Sequence, residues 1–185
     1  MPGTVYISFS AEISTQTAEH LIGVMANLAK RDVSEVHLLL STGGGNVMEG
    51  MNIYNVLCGM PFTLVTHNVG NVDSVGNVIF LAGKKRYACP TATFMFHGVA
   101  WNIPTPTRLE QKNVEEILDG ILSSQKRMGD VIKLCTSLSL ADVDDLFRQA
   151  KTKSADEALR VGIIQEIRDV QIPGGAEVIP LVFQR

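Results

Sequence analysis

One run constrains the fold more than any other: Val36-His-Leu-Leu-Leu40, which ends in Ser41-Thr-Gly-Gly-Gly45. A nearly continuous apolar run of this length suits a strand buried on both faces, as in a parallel sheet covered by helices. The pattern after the glycines is helical, with Val47, Met51, Tyr54 and Leu57 or Cys58 facing inward. Upstream, Val5-Tyr-Ile-Ser-Phe9 alternates as a strand does. Ser14 or Thr15 can cap the helix that follows it, whose apolar face carries Ala18, Leu21, Ile22, Met25, Leu28 and Ala29. Downstream, a strand over 62–66 runs through a glycine turn into an apolar helical segment, and short strands are expected at 87–89 and 93–96. Strands alternating with helices imply a layered α/β fold.

The pattern changes at Trp101. Asn102-Ile-Pro-Thr-Pro-Thr107 reads as a rigid polar connector. A long helix is expected over 108–137, its apolar stripe including Val114, Ile117, Leu118, Ile121, Leu122, Val131, Ile132 and Cys135. Gly120 and Gly129 weaken that helix without breaking it. A helix of this length exceeds the width of a small core, so it should project and need another subunit to cover its stripe. Ser139 can cap a further helix holding Val143, Leu146 and Phe147. Ser154-Ala-Asp-Glu157 is a capping box that opens a short helix ending at Gly162. A strand over 163–170 follows. Segment 178–183 is an edge strand or a strap, since Pro180 does not suit a central strand.

The 185 residues, 45% of them hydrophobic, suit one domain with a sizeable core. A net charge of −3 offers no broad basic footprint for nucleic acid. No apolar run has the length of a membrane span, and Met1-Pro-Gly-Thr4 lacks the pattern of a signal peptide. Cys58, Cys89 and Cys135 are widely separated and odd in number, which points to reduced core residues of a cytoplasmic protein. No metal-ligand spacing or cofactor motif is present, so neither a metal nor a cofactor is expected.

The chemistry-bearing stretch is Val69-Gly-Asn-Val-Asp-Ser74-Val-Gly. It puts Ser74 at or near a helix N-terminus, where unpaired N–H groups and the helix dipole favour negative charge. Ser74 or Asp73 could simply cap that helix. Alternatively, Ser74 could attack a carbonyl while nearby N–H groups hold the oxyanion. The triple glycine is either a tight strand-to-helix turn or a place where backbone N–H groups approach a ligand closely. A phosphate loop is disfavoured because the Gly-x-x-x-x-Gly-Lys-Ser/Thr pattern is missing. Among the histidines, His97 ends an apolar strand and can point into a crevice. His20 lies on a surface helix, His37 opens a buried strand as a satisfied core histidine, and His67 is close to Ser74 only in sequence.

Four stretches, in order, resemble the proteolytic subunit of the Clp protease, ClpP. Residues 41–54, Ser-Thr-Gly-Gly-Gly-Asn-Val-Met-Glu-Gly-Met-Asn-Ile-Tyr, are similar to its Ser-Pro-Gly-Gly segment and following helix. Residues 70–76, Gly-Asn-Val-Asp-Ser-Val-Gly, resemble its nucleophile turn Gly-x-Ala-Ala-Ser-Met-Gly. Phe94-Met-Phe-His97 resembles its histidine strand, and residues 155–164 its closing segment. The resemblance spans roughly residues 4 to 168. It implies a ClpP/crotonase-like spiral of β-β-α units forming a single domain over 1–185. The head would comprise 1–98 and 138–170, a projecting "handle" 99–137, and a C-terminal strap 171–185. It implies Ser74 as nucleophile, His97 as general base, and Gly44 and Val75 as oxyanion N–H donors. The substrates would be peptides or unfolded polypeptides, and the assembly a homo-oligomeric ring or stacked rings.

Departures from the family pattern carry their own expectations. Matching the closing segment puts Ala150 where the family keeps the aspartate that orients the histidine. Gln149, a backbone carbonyl, a shifted Asp142, Asp144 or Asp145, or Lys151 in a Ser–Lys arrangement are the alternatives. The chain opens at the family's first core strand, without the segment that helps dock an AAA+ unfoldase, which argues for work independent of ATP. Asp73 stands where the family has a small alanine. Two other readings remain at this point: a catalytically silent ring subunit, suggested by Ala150, and a crotonase-type acyl-CoA enzyme sharing the fold.

Overall fold

A computed structural model gives the fold and describes residues 3–103 and 108–183. Residues 104–107 of the expected 102–107 connector, and the end of the expected strap, lie outside the described residues.

The elements run β1 (Gly3–Ser10), α1 (Thr15–Leu28), β2 (Val33–Thr42), α2 (Val47–Cys58), β3 (Thr63–Asp73), α3 (Gly76–Phe80), β4 (Lys85–Ala88) and β5 (Thr93–Met95). Then come α4 (Gln111–Cys135), α5 (Leu140–Gln149), β6 (Thr152–Ser154), α6 (Ala155–Arg160), β7 (Glu166–Ile167) and β8 (Glu177–Leu181). The strands form one sheet in the order β6-β5-β3-β2-β1-β8, with β4 pairing β3 and β7. Among the described residues every pairing is parallel except β5 with β6. The buried run at 36–40 is the middle of β2, flanked by β1 and β3 as its composition requires. Apolar side chains of the strands and of α1, α2 and α3 make one core, its largest members Phe9, Phe80, Phe94 and Phe96. Among the described residues no helix is long and apolar enough to cross a membrane.

Several expectations change. β3 does not stop at a glycine turn after residue 66 but continues to Asp73. Its first half pairs β4 and its last three residues pair β5, so one long strand carries two short neighbours. Gly70 lies inside the strand, where a Cβ would fall 2.9 Å from Ser41 Oγ. The helix after Ser74 is a short one. The expected strand over 163–170 shrinks to β7, and three polar residues form β6 by antiparallel pairing with β5. On α2 the fully buried Ile53 faces the core, whereas Cys58 is exposed rather than a core residue. The C-terminal segment is an edge strand: β8 lies parallel to β1, with Pro180 on the outermost strand.

The long helix α4 is present. Its end packs Met128, Val131 and Ile132 into the core, while Val114, Leu118 and Leu122 on its first half stay half exposed. Trp101 lies against α4 at Gly120, where a Cβ would fall 3.3 Å from the indole. Gly120 therefore admits the indole to the helix surface.

Candidate active site

β3 ends between β2 and β5 and delivers Ser74 into a cleft. The Ser74 N–H donates to Met95 O at 2.8 Å, which ties the strand end to β5. Ser74 itself has φ +57°, a left-handed conformation that costs a non-glycine residue energy and is characteristic of strained functional turns. The chain then enters α3, whose N-cap residue is Val75, with no side-chain cap. The capping role open to Ser74 and Asp73 in the sequence is thus absent. Asp73 instead accepts from Asn71 Nδ2 at 2.7 Å.

Two asparagines, unremarked in the sequence, hold this turn. Asn77 Nδ2 donates to Ser74 O at 3.1 Å and to Met95 O at 2.9 Å. Asn71 Nδ2 also donates to Thr42 O at 3.2 Å, linking the end of β3 to the start of the glycine turn. A sequence signal existed: amide side chains sit on either side of Ser74, at the end of an apolar strand and inside an apolar helix, where each needs partners.

The glycine turn lies directly beside Ser74. Gly44 has φ +88°, and a Cβ on it would fall 2.6 Å from Ser74 Cβ and 2.9 Å from Asp73 O. Gly45 has φ +142°, and a Cβ there would enter the Ile13 backbone. Only glycine meets both demands. The expected donor at Gly44 is already engaged, because its N–H donates to Thr42 Oγ1 at 3.1 Å. Among the described residues, the N–H groups of Gly45 and Val75 donate to no protein acceptor.

His97 follows β5 and lines the same cleft as Ser74, of about 760 Å³, walled also by residues 43–48, Trp101 and Met128. Ser74 and His97 are not hydrogen-bonded to one another. His97 Nδ1 bonds Gly98 O at 2.7 Å, and since a carbonyl only accepts, Nδ1 carries the proton. Nε2 is left with its lone pair. The Gly98 N–H donates to Phe147 O of α5 at 3.1 Å, which holds that peptide in place. Ala150 is the exposed C-cap of α5, in left-handed conformation at φ +49°, and is not part of the cleft wall. Among the described residues, no side chain from Asp142 to Lys151 hydrogen-bonds His97. The histidine's partner in this structure is a backbone carbonyl.

The other histidines are elsewhere. His67 is buried, donates Nε2–H to Arg168 O at 2.9 Å, and has its pKa lowered chiefly by burial. His37 is stacked on Tyr6 and paired with Glu35 at 2.8 Å. His20 is exposed on α1.

A model of the Clp protease family matches residues 3–171. ATP-dependent Clp protease proteolytic subunit 1 of Leifsonia xyli is 26% identical over 186 residues, covering 94% of this chain and 89% of the relative. Subunit 2 of Thermobifida fusca is 26% identical over 159 residues, covering 84% and 76%. Among solved structures, an Asn-to-Asp variant of ClpP1 from Listeria monocytogenes superposes with a TM-score of 0.81 at 22% identity, covering 90% of this chain and 92% of that one. The superposition shows a ClpP-type α/β fold, and the 25-residue α4 is the long helix expected from the sequence. With a family model matching nearly the whole chain, this protein belongs to the Clp protease family, as a divergent ClpP-like member.

Proposed function

We propose that the chain is a serine-type endopeptidase that cleaves peptides or unfolded polypeptides within a homo-oligomer, without an ATP-driven unfoldase. The observation that carries this reading is the strained Ser74 turn, lining the same cleft as His97 and the glycine turn, with the N–H groups of Val75 and Gly45 unpaired among the described residues. In the reaction, Ser74 Oγ attacks the scissile carbonyl as its proton passes to His97 Nε2. The oxyanion forms beside the Val75 and Gly45 N–H groups, with Gly45 taking the role expected of Gly44. Collapse expels the amine, which leaves with the proton from His97. Water, activated by His97, then attacks the acyl-enzyme and releases the acid and free Ser74. The Gly98 carbonyl holds His97 in the required tautomer, the task a carboxylate performs in a full triad.

A neutral carbonyl orients the ring but stabilises the imidazolium less than a carboxylate would. The expected turnover is therefore well below that of a full triad, whose loss of the carboxylate costs about four orders of magnitude in kcat where measured. The missing Ser74–His97 hydrogen bond favours a second reading, a catalytically silent subunit of a mixed ring. A fluorophosphonate probe separates the two. Labelling of Ser74 that is lost in Ser74→Ala supports the peptidase. No labelling in any oligomeric state, together with co-purification of a second ClpP-like chain, supports the silent subunit.

A further inference from the structure

We propose that Glu12 is a specificity residue of this cleft, favouring substrates with a lysine or arginine beside the scissile bond over those with an acidic residue there. The inference rests on the peptidase reading and names the class of peptide that site takes.

Glu12 lines the cleft that holds Ser74 and His97, and it is the one carboxylate or permanent charge on the described wall. Its carboxylate is exposed and has no hydrogen bond or ion pair among the described residues. Other carboxylates of the chain differ in this respect. Glu49 accepts from Thr15 Oγ1 at 2.9 Å, and Glu35 pairs with Lys85 at 2.7 Å. Glu12 thus has no protein partner competing with whatever fills the cleft.

The backbone fixes where that charge sits. The Ile13 N–H donates to Gly44 O at 2.7 Å, and the Asn46 N–H donates to Ile13 O at 2.8 Å. Thr17 Oγ1 anchors the Glu12 carbonyl at 2.8 Å. These bonds make an isolated bridge between the segment after β1 and the glycine turn. The Ile13 side chain is driven into the core, 1% exposed. In an extended segment successive side chains alternate sides, so Glu12 faces out into the cleft. It stands one residue from the bridge that ties down the glycine turn, whose Gly44 lies against Ser74.

A solvated carboxylate costs little in the empty cleft. When a peptide displaces water, the field at the site is less screened and the charge discriminates between side chains of opposite sign. A pair that stays partly exposed gives on the order of fivefold discrimination, weakened by salt.

The test uses two peptidyl diphenyl phosphonates that differ only in carrying a lysine or a glutamate side chain next to the phosphorus. Their rates of labelling Ser74 are compared in the wild type, Glu12→Gln and Glu12→Lys, with a small fluorophosphonate alongside. The ratio is taken within each protein, so a change in overall reactivity cancels. The wild type is expected to favour the lysine reagent about fivefold, Glu12→Gln to lose the preference, and Glu12→Lys to reverse it. Raising the salt concentration should shrink the wild-type ratio. A ratio near one in the wild type, or one that survives in Glu12→Gln, overturns the role of Glu12 while fluorophosphonate labelling leaves the peptidase reading standing. Failure of every reagent to label Ser74 overturns that reading and this inference together.

Discussion

At the scale of single residues, the turn at Ser74 trades stability for a serine placed at the cleft wall. Its left-handed backbone suits glycine and penalises every other residue. Ser74→Ala keeps the penalty, whereas Ser74→Gly removes it. Ser74→Gly is therefore expected to be more stable than Ser74→Ala by about 1 kcal/mol in urea unfolding, though neither labels with a fluorophosphonate. Equal stabilities would mean that the turn is unstrained. Gly44→Ala acts in the opposite sense, since its Cβ would meet Ser74 Cβ at 2.6 Å. It is expected to destabilise by about 1–3 kcal/mol and to abolish Ser74 labelling, as read by thermal melting and probe gels. His67 adds a pH dependence. Burial holds its folded pKa below the ordinary 6.5, so the unfolded chain binds a proton that the folded one refuses. Its contribution is complete above about 6.5 and is lost as pH falls from there towards the lower folded value. The urea midpoint of the wild type should fall over that window, and His67→Gln should flatten the fall.

At the scale of elements, what the sequence made legible was local. The buried run of β2, the apolar faces of α1 and α4, and the serine caps of α5 and α6 all follow from spacing within a few turns. What it hid depended on distant partners. β6 is Thr-Lys-Ser, with no strand preference to announce it, and exists because β5 offers an antiparallel edge. β3 runs on through Gly70 because β5 pairs its last three residues, a contact no local pattern encodes. The site divides in the same way. Ser74 and His97 could be named from their settings and from the family resemblance, whereas the N–H of Gly44 is taken by Thr42 Oγ1 and the histidine's partner is a main-chain carbonyl. A main-chain partner such as the Gly98 carbonyl leaves no residue type to recognise. The C-cap of α5 gives this scale its own test. Ala150 is left-handed at φ +49°, which glycine adopts without cost. Ala150→Gly should stabilise the protein by about 0.5–1 kcal/mol in urea unfolding. No gain, or a loss, would place the cost of that conformation elsewhere.

At the scale of the whole molecule, α4 presents a surface that the monomer does not use. Val114, Leu118 and Leu122 lie four residues apart on one side of the helix and are 50%, 52% and 55% exposed. Covering each of these half-exposed side chains is worth about 1 kcal/mol, so a copy of α4 laid against the first would gain several. Association has its own entropic cost of several kcal/mol, which this helix alone offsets only in part, so a stable assembly through this face needs further contacts beside it. Leu118→Arg combined with Leu122→Arg puts two positive charges on the middle of that face without touching the buried end at Met128, Val131 and Ile132. The double variant is expected to keep its circular dichroism and melting cooperativity while sedimenting as a smaller species than the wild type. Trp101, which lines the cleft that holds Ser74 and His97 and packs on α4 at Gly120, joins the two regions. Loss of association is therefore expected to slow labelling of Ser74 as well. A variant that sediments like the wild type would show that this face is not where the copies meet. One that dissociates yet labels at the wild-type rate would show that the cleft is complete within a single chain.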